Sequence, residues 1–266
     1  MTQPAHSAPL VLGISCLHFD WASLGQAFAR AQNEFGLHQI EFSTTRLKGD
    51  DFDRCGQLAS DTGVGTALHA WKNPADLGFA AAVDEGRRLL DLCQRMHATH
   101  LILHFGSHAE RDEGIQRVVD VCRELAPLYE AAGVTYCLEN HYPFTYHGLN
   151  ELGGEPVDFH LLFEQVHSPA VRFCLDSGHS NMAGATSEFI DELAHKLAYA
   201  HLTDNHGEHD DHLGFAEGTL NWNETLAAML ASGFRGPYVI EYPEQGDPSR
   251  FRRLTARLHE LATPAT

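Results

Sequence analysis

Eight times along 266 residues the chain passes from a short apolar run into a longer amphipathic stretch. The runs read as strands at Leu10–Leu17, His38–Ser43, Thr66–Ala70, Leu101–Phe105, Val134–Glu139, Val171–Leu175, Ala198–Leu202 and Tyr238–Tyr242. The stretches between and after them read as helices at Asp20–Phe35, Asp51–Thr62, Ala80–Ala98, Gly114–Ala132, Asp158–His167, Ser187–His195, Trp222–Ser232 and Pro248–Ala262. Strands that alternate with helices pair in parallel, because each crossover helix carries the chain back to the same end of the sheet. Eight such units, roughly thirty residues each, fit a closed barrel better than an open doubly wound sheet. The expected fold class is therefore α/β, a single-domain (β/α)8 TIM barrel over residues 10–266 behind a flexible tail at 1–9. Gly13 stands alone after the first strand, so a glycine-rich phosphate loop is not expected.

In such a barrel, function gathers at the C-terminal ends of the strands. Read in order, those ends carry His69, His104, Glu139, Asp176 (with His179 three residues on), His201 and Glu241. Each follows directly on an apolar residue. Taken singly, a histidine at a strand end is a satisfied polar group, a glutamate is a salt-bridge partner, and Asp176 is a helix cap. Six at one rim are harder to explain that way. Three carboxylates crowded into one mouth repel each other unless cations hold them, and no Lys or Arg occupies an equivalent strand end. A mixed imidazole and carboxylate set suits Zn, Mn, Fe or Co better than Ca, which prefers all-oxygen coordination. In the long loop at 203–219, Asp210 and His212 read as ligands or as solvated residues with equal weight, whereas His206, Glu208, His209 and Asp211 read as solvated.

Charge narrows the partners. With 18 Lys and Arg against 36 Asp and Glu the formal net charge is −18, a field that repels a phosphate backbone. Nucleic acid is therefore an unlikely partner, and a small molecule the expected one. No apolar run approaches membrane-spanning length. The six cysteines form no C-x-x-C pair and sit in apolar patterns, as reduced core residues would. Together with an N-terminus that lacks the pattern of a signal peptide, they point to the cytoplasm.

The stretches LHAWKNPADL, LHFGSH, CLENHYP, CLDSGHSNMAG, HLTDNHGEHDDHLGFAEGTLNW and IEYPE resemble the xylose isomerase-like TIM-barrel superfamily over nearly the whole chain. That superfamily holds sugar isomerases and epimerases and also nucleases of the endonuclease IV type. The epimerase branch implies one divalent ion on Glu139, Asp176, His201 and Glu241. There the two glutamates act as acid and base, moving a proton at a carbon next to a carbonyl through an enediolate. The nuclease branch implies three zinc ions on His69, His104, Glu139, Asp176, His179, His201, Asp210, His212 and Glu241, all of which are filled here. The resemblance thus implies one to three divalent ions per chain. It also implies substrate contacts at His179, His69 and His104, to which Trp71 and Lys72 are added from the loop after the third strand.

DSGHSNMAG, HLTDN and GTLNW match the epimerase-like members, while Asp210, Asp211 and His212 stand where epimerases place a sugar-binding arginine. Few basic residues, Arg46, Lys48 and Lys72, follow strands one to three, where a DNA-bending nuclease is rich in them. The favoured expectation is a sugar isomerase or epimerase, with a lyase using the same groups. The alternatives are an endonuclease IV-like phosphoesterase and a barrel without activity. Trp71, Phe105, Tyr142 and Tyr146 are candidates for an apolar wall against a sugar, with core packing equally open for each. Barrels of this kind often pair, so a homo-oligomer is kept in view.

Overall fold

Alternate side chains of a strand face opposite ways, and in this chain both faces are buried. A computed structural model describes residues 9–263. The tail expected at 1–9 lies, as far as residue 8, outside the described residues. The barrel strands are β1 (Leu12–Ser15), β2 (Gln39–Ser43), β3 (Gly65–His69), β4 (Ala98–His104), β5 (Thr135–Glu139), β6 (Val171–Asp176), β7 (Leu197–Leu202) and β8 (Tyr238–Ile240). Each pairs in parallel with the next, and β8 pairs with β1, so the sheet closes. Around it lie α1 (Leu24–Ala29, continued by a π-helical turn to Glu34), α2 (Asp51–Thr62), α3 (Phe79–Arg95), α4 (Arg111–Ala132), α5 (Pro156–Gln165), α6 (Ser177–Ala183), α7 (Thr186–Leu193), α8 (Trp222–Ala231) and α9 (Ser249–Ala262). Among the described residues no helix is long and apolar enough to cross a membrane. All six cysteines are buried and unpaired.

The outward face of the strands, with Leu68, Leu103, Leu138, Phe173, Leu175 and Leu202, joins the large core beneath the helices. The inward face forms a second, smaller cluster of Ala67, Ile102, Cys137, Cys174, Tyr199 and Val239. Two residues further along the same strands stand His69, His104, Glu139, Asp176, His201 and Glu241. The period of two therefore aims all six at the barrel axis, one layer above an apolar plug. Small side chains (Ala67, Cys137, Cys174) in that plug leave room for Tyr199 to lie across it, as the filled interior of an eight-stranded barrel requires.

Some boundaries differ from those expected, for local reasons. The first helix opens at Leu24 rather than Asp20 because the Ser23 hydroxyl caps it, accepting from the Gln26 N–H at 3.3 Å. α3 stops at Arg95 and His97 takes a left-handed φ of 56°, so β4 starts at Ala98 instead of Leu101. The long segment after β5 is not featureless. Thr145–Tyr146 and Leu149–Glu151 form a hairpin that pairs with Ser107–His108 in a small antiparallel sheet at the rim. α6 is an unanticipated helix that begins directly on the last residue of β6.

The long loop after β7 is held by one buried carboxylate. Asp204 Oδ1 accepts from the N–H groups of Asn205 and Leu220 at 2.8 and 3.0 Å. Its Oδ2 accepts from the Gly218 N–H at 2.9 Å and the Trp222 indole at 2.8 Å. Gly218 has no room for a side chain, because a Cβ there would strike Asn205 O and Asp204 Oδ1. Both ends of the loop are thereby drawn to one point. Asp204→Ala orphans four donors, three of them buried, and hydrogen bonds to a charged acceptor are the costly ones to leave unmade. The expected loss is about 3 to 5 kcal/mol in urea unfolding, together with new proteolytic cleavage between residues 205 and 218.

Candidate metal centre at the mouth of the barrel

Neighbouring strands align so that His104 pairs with Glu139 and Asp176 with His201. Glu139 is the hub. Its Oε2 lies 3.5 Å from His69 Nε2 and 3.4 Å from His104 Nε2, and its Oε1 lies 3.5 Å from His179 Nδ1 and 3.2 Å from His201 Nδ1. His201 Nδ1 is also 3.1 Å from Glu241 Oε2. One donor atom from each of Glu139, Asp176, His201 and Glu241 falls within 4.8 Å of all the others, and His69, His104 and Glu139 make a second such group. Glu139, Asp176 and His201 are fully enclosed, and Glu241 nearly so.

Asp176 has two duties. Its Oδ1 caps α6, accepting from the His179 N–H at 2.6 Å. Its main-chain N–H donates to Asn140 Oδ1 at 2.7 Å, and the Asn140 amide donates back to Asp176 O at 3.1 Å, tying β5 to β6. Oδ2 is left buried with no partner. The cap and the ligand readings of Asp176 are therefore not alternatives, because each uses a different oxygen.

The loop after β7 brings Asp210 and His212 over this group. Asp210 Oδ2 sits 3.4 Å from His179 Nε2 and 3.2 Å from His212 Nε2. Both imidazoles donate Nδ1–H to a main-chain carbonyl, His179 to Asn140 at 3.0 Å and His212 to Glu241 at 2.8 Å. Those bonds fix the rings with Nε2 turned to Asp210, as a carbonyl on the far nitrogen orients a metal-binding histidine. His206, Glu208, His209 and Asp211 are exposed, as expected.

Whether this set suits a cation can be tested on its unpaired atoms. Glu41 Oε1, both ring nitrogens of His69, His104 Nε2, Glu139 Oε2, Asp176 Oδ2, His201 Nδ1 and Asp210 Oδ1 are buried without a hydrogen-bond partner. Buried polar atoms are normally satisfied, and so many orphans in one place fit ligand positions. Nitrogen and carboxylate donors together suit a borderline divalent ion. With only protein groups to balance one another, the two glutamates are driven apart. Burial raises the Glu139 carboxyl, but His201 and His104 outweigh it and hold the group well below the usual range. Burial lifts Glu241 well above its ordinary value against the pull of His201, with Glu139 and Glu41 adding to the rise. Burial opposes charging of His212, yet Asp210 pushes it up to about 9.

Of the residues assigned to substrate, His69, His104 and His179 lie in the cluster. Trp71 stands at its edge, half exposed, with its ring 5.4 Å from that of His69 and its indole donating to Ser43 Oγ at 2.6 Å. Lys72 is not brought there. It is exposed and lines a small groove with Leu77, Glu85 and Leu89 against α3. Phe105 is core, packed edge-on against Phe159 with ring centres 4.8 Å apart, so it forms no wall. Tyr146 is two-thirds exposed on the rim hairpin. Tyr142 stacks on Phe144 and leans over His179, with ring centres 5.1 and 5.5 Å apart.

Three ionisable groups were not read from the sequence. Glu41 is fully buried inside β2 and accepts from His201 Nε2 at 2.7 Å. β2 continues two residues past it, so Glu41 is not a strand end. The available signal was a lone acid between Ile40 and Phe42, in phase with the inward face. His18 lies 4.5 Å from the His212 ring, and burial followed by His212 lowers it to about 3. His141 stacks on His179 at 4.4 Å, and burial with His179 and His104 lowers it to about 2.

Several solved structures share this architecture. A D-tagatose 3-epimerase-like protein superposes with a TM-score of 0.80 at 21% identity, covering 95% of this chain and 98% of that one. L-ribulose 3-epimerase gives 0.72 at 18% identity over 96% of this chain and 91% of that one. The 3-keto-D-glucoside 4-epimerase of E. coli gives 0.72 at 16% identity, over 94% and 99%. At such identities the likeness speaks for the fold. An uncharacterised protein of Methanocaldococcus jannaschii is 30% identical over 141 residues, 52% of this chain and 47% of its own length. One of Sinorhizobium fredii is 25% identical over 189 residues, 66% and 60%. The chain thus matches about half of the length of these relatives. The sequence profile of one family spans residues 28–260, from within α1 into α9. That profile describes a TIM barrel, the closed parallel architecture seen here, and the chain belongs to the family of xylose isomerase-like TIM barrels.

Proposed function

We propose that the protein is a metal-dependent isomerase or epimerase acting on an unphosphorylated sugar or sugar derivative, by proton transfer at a carbon next to a carbonyl. The observation that carries this reading is the convergence of Glu139 and Glu241, from non-adjacent strands, on one atom, His201 Nδ1, at 3.2 and 3.1 Å. Two carboxylates facing one small volume from two sides suit removal of a proton from one face of a carbon and its return to the other. Glu139, Asp176, His201 and Glu241 are the residues that would hold a divalent ion between them. When bound, such an ion supplies the Lewis acidity that makes the carbon acid reactive. Glu139 or Glu241 then takes the proton on a carboxyl oxygen and the other donates. His179, with its ring pinned by the Asn140 carbonyl, orients the substrate hydroxyls.

Sugars without phosphate are favoured because, among the described residues, no Lys or Arg pairs with the carboxylates of the cluster. Arg46 is exposed, with its guanidinium over the Trp21 ring 4.9 Å away. The named epimerases among the similar structures lend the same reading support.

A second reading, a phosphoesterase with a multinuclear zinc site, draws on one specific observation. His69, His104, His179, Asp210 and His212 all join the same cluster. The net charge of −18 weighs against a DNA substrate.

Three outcomes are expected. Purified protein carries one Mn, Zn, Fe or Co per chain by elemental analysis, whereas three zinc ions with nicking of abasic duplex DNA favour the phosphoesterase. Chelation abolishes activity and lowers the unfolding temperature, and returning metal at about 100 times its dissociation constant restores about 2.7 kcal/mol. Glu139→Gln and Glu241→Gln each reduce solvent deuterium uptake by ketoses at least ~100-fold. Undiminished exchange in the double variant removes both residues from acid–base roles.

A further inference from the structure

Glu41 is not one of the four residues read as holding the ion, yet its carboxylate is wholly enclosed in the barrel and carries the closest polar contact that His201 makes. We propose that Glu41 is a positioning residue: it orients His201 so that Nδ1, not Nε2, is presented to the cation between Glu139 and Glu241. This rests on the metal-centre reading, not on the chemistry assigned to it.

The argument is geometric. A carboxylate accepts and does not donate, so at 2.7 Å from Glu41 Oε2 the Nε2 of His201 carries the hydrogen. In the neutral form that binds a cation, the ring then has its lone pair on Nδ1, which is buried and unpartnered and lies 3.2 and 3.1 Å from the two glutamates. Glu41 has no other tie of this kind. Its second oxygen is buried and unpaired, and Gln39 precedes it on the inward face of β2. The Tyr199 ring stands at 89° to the His201 ring with centres 5.6 Å apart, closing the space beneath. Without an acceptor at position 41, nothing on that side of His201 selects one ring nitrogen over the other. The same device recurs over Asp210, where main-chain carbonyls play the acceptor for His179 and His212. For His201 the acceptor is a side chain instead. Loss of such an outer partner typically weakens metal binding about 10- to 100-fold.

The test uses metal-stripped full-length protein titrated with zinc alone against a competing chelator. Glu41→Met, similar in size but without an acceptor, is expected to raise a zinc dissociation constant about 10- to 100-fold. Glu41→Gln, whose amide oxygen can still accept from Nε2–H, is expected to bind within a few-fold of wild type. The proposal is overturned by wild-type zinc affinity in Glu41→Met, or by Glu41→Gln binding as weakly as Glu41→Met. If Glu41→Met does not fold, ring-nitrogen NMR of zinc-loaded wild-type protein decides. Zinc on Nδ1 of His201 with a proton held on Nε2 supports the proposal, and zinc on Nε2 refutes it. Wild-type protein that takes up no zinc sinks both this inference and the metal-centre reading. Zinc uptake without sugar turnover removes only the isomerase reading.

Discussion

Everything at the mouth of this barrel depends on a conflict between burial and charge. Glu41, Glu139, Asp176 and Glu241 share one enclosed layer with His69 and His201, and His104 adjoins them half-buried. Taking charged groups out of water is expensive, and like charges at short range add to the cost. Within the cluster only imidazoles offset this: Glu139 is held down by His201 and His104, while Glu241 and Asp176 are pushed up by burial. Such an arrangement is tolerable because the rest of the barrel is well packed, and it is the kind of local penalty that functional sites carry.

The backbone is what keeps the conflict in place. Strand residues two apart share a face, so one apolar layer of the interior supports the ionisable layer above it and denies its side chains any other direction. Loops finish the enclosure. Asp204 gathers the segment after β7 by four hydrogen bonds, and that segment carries Asp210 and His212 back over the mouth. Asp176 caps α6, and α6 in turn delivers His179. His179 and His212 are thus each held by a main-chain carbonyl, the kind of support a preorganised site needs.

The alternation of strands and helices, the barrel and six of the ionisable strand ends were legible from periodicity, because burial on both faces of a parallel strand leaves a continuous apolar run that ends abruptly where the chain meets solvent. The same rule hid Glu41. Its strand runs on to Ser43, so an inward-facing acid passed for an interior strand residue, although it is the one charged side chain between Gln39 and Ser43 on a face set off by Ile40 and Phe42. Lys72 misses the cluster, and Phe105 stays open in sequence between wall and core, for the opposite reason. Each sits one to three residues beyond a strand end, where the pleat no longer fixes direction and the loop turns one toward α3 and the other into the core.

By itself, then, the sequence determined which residues reach the C-terminal rim, since side-chain alternation is a local property of an extended chain. Tertiary structure alone decided which atoms meet there. Barrel closure sets Glu139 and Glu241 on either side of His201, and a carboxylate from β2 takes the far nitrogen of that ring. Those contacts join residues 40 to 160 positions apart, and no local rule of chain geometry acts over such a span.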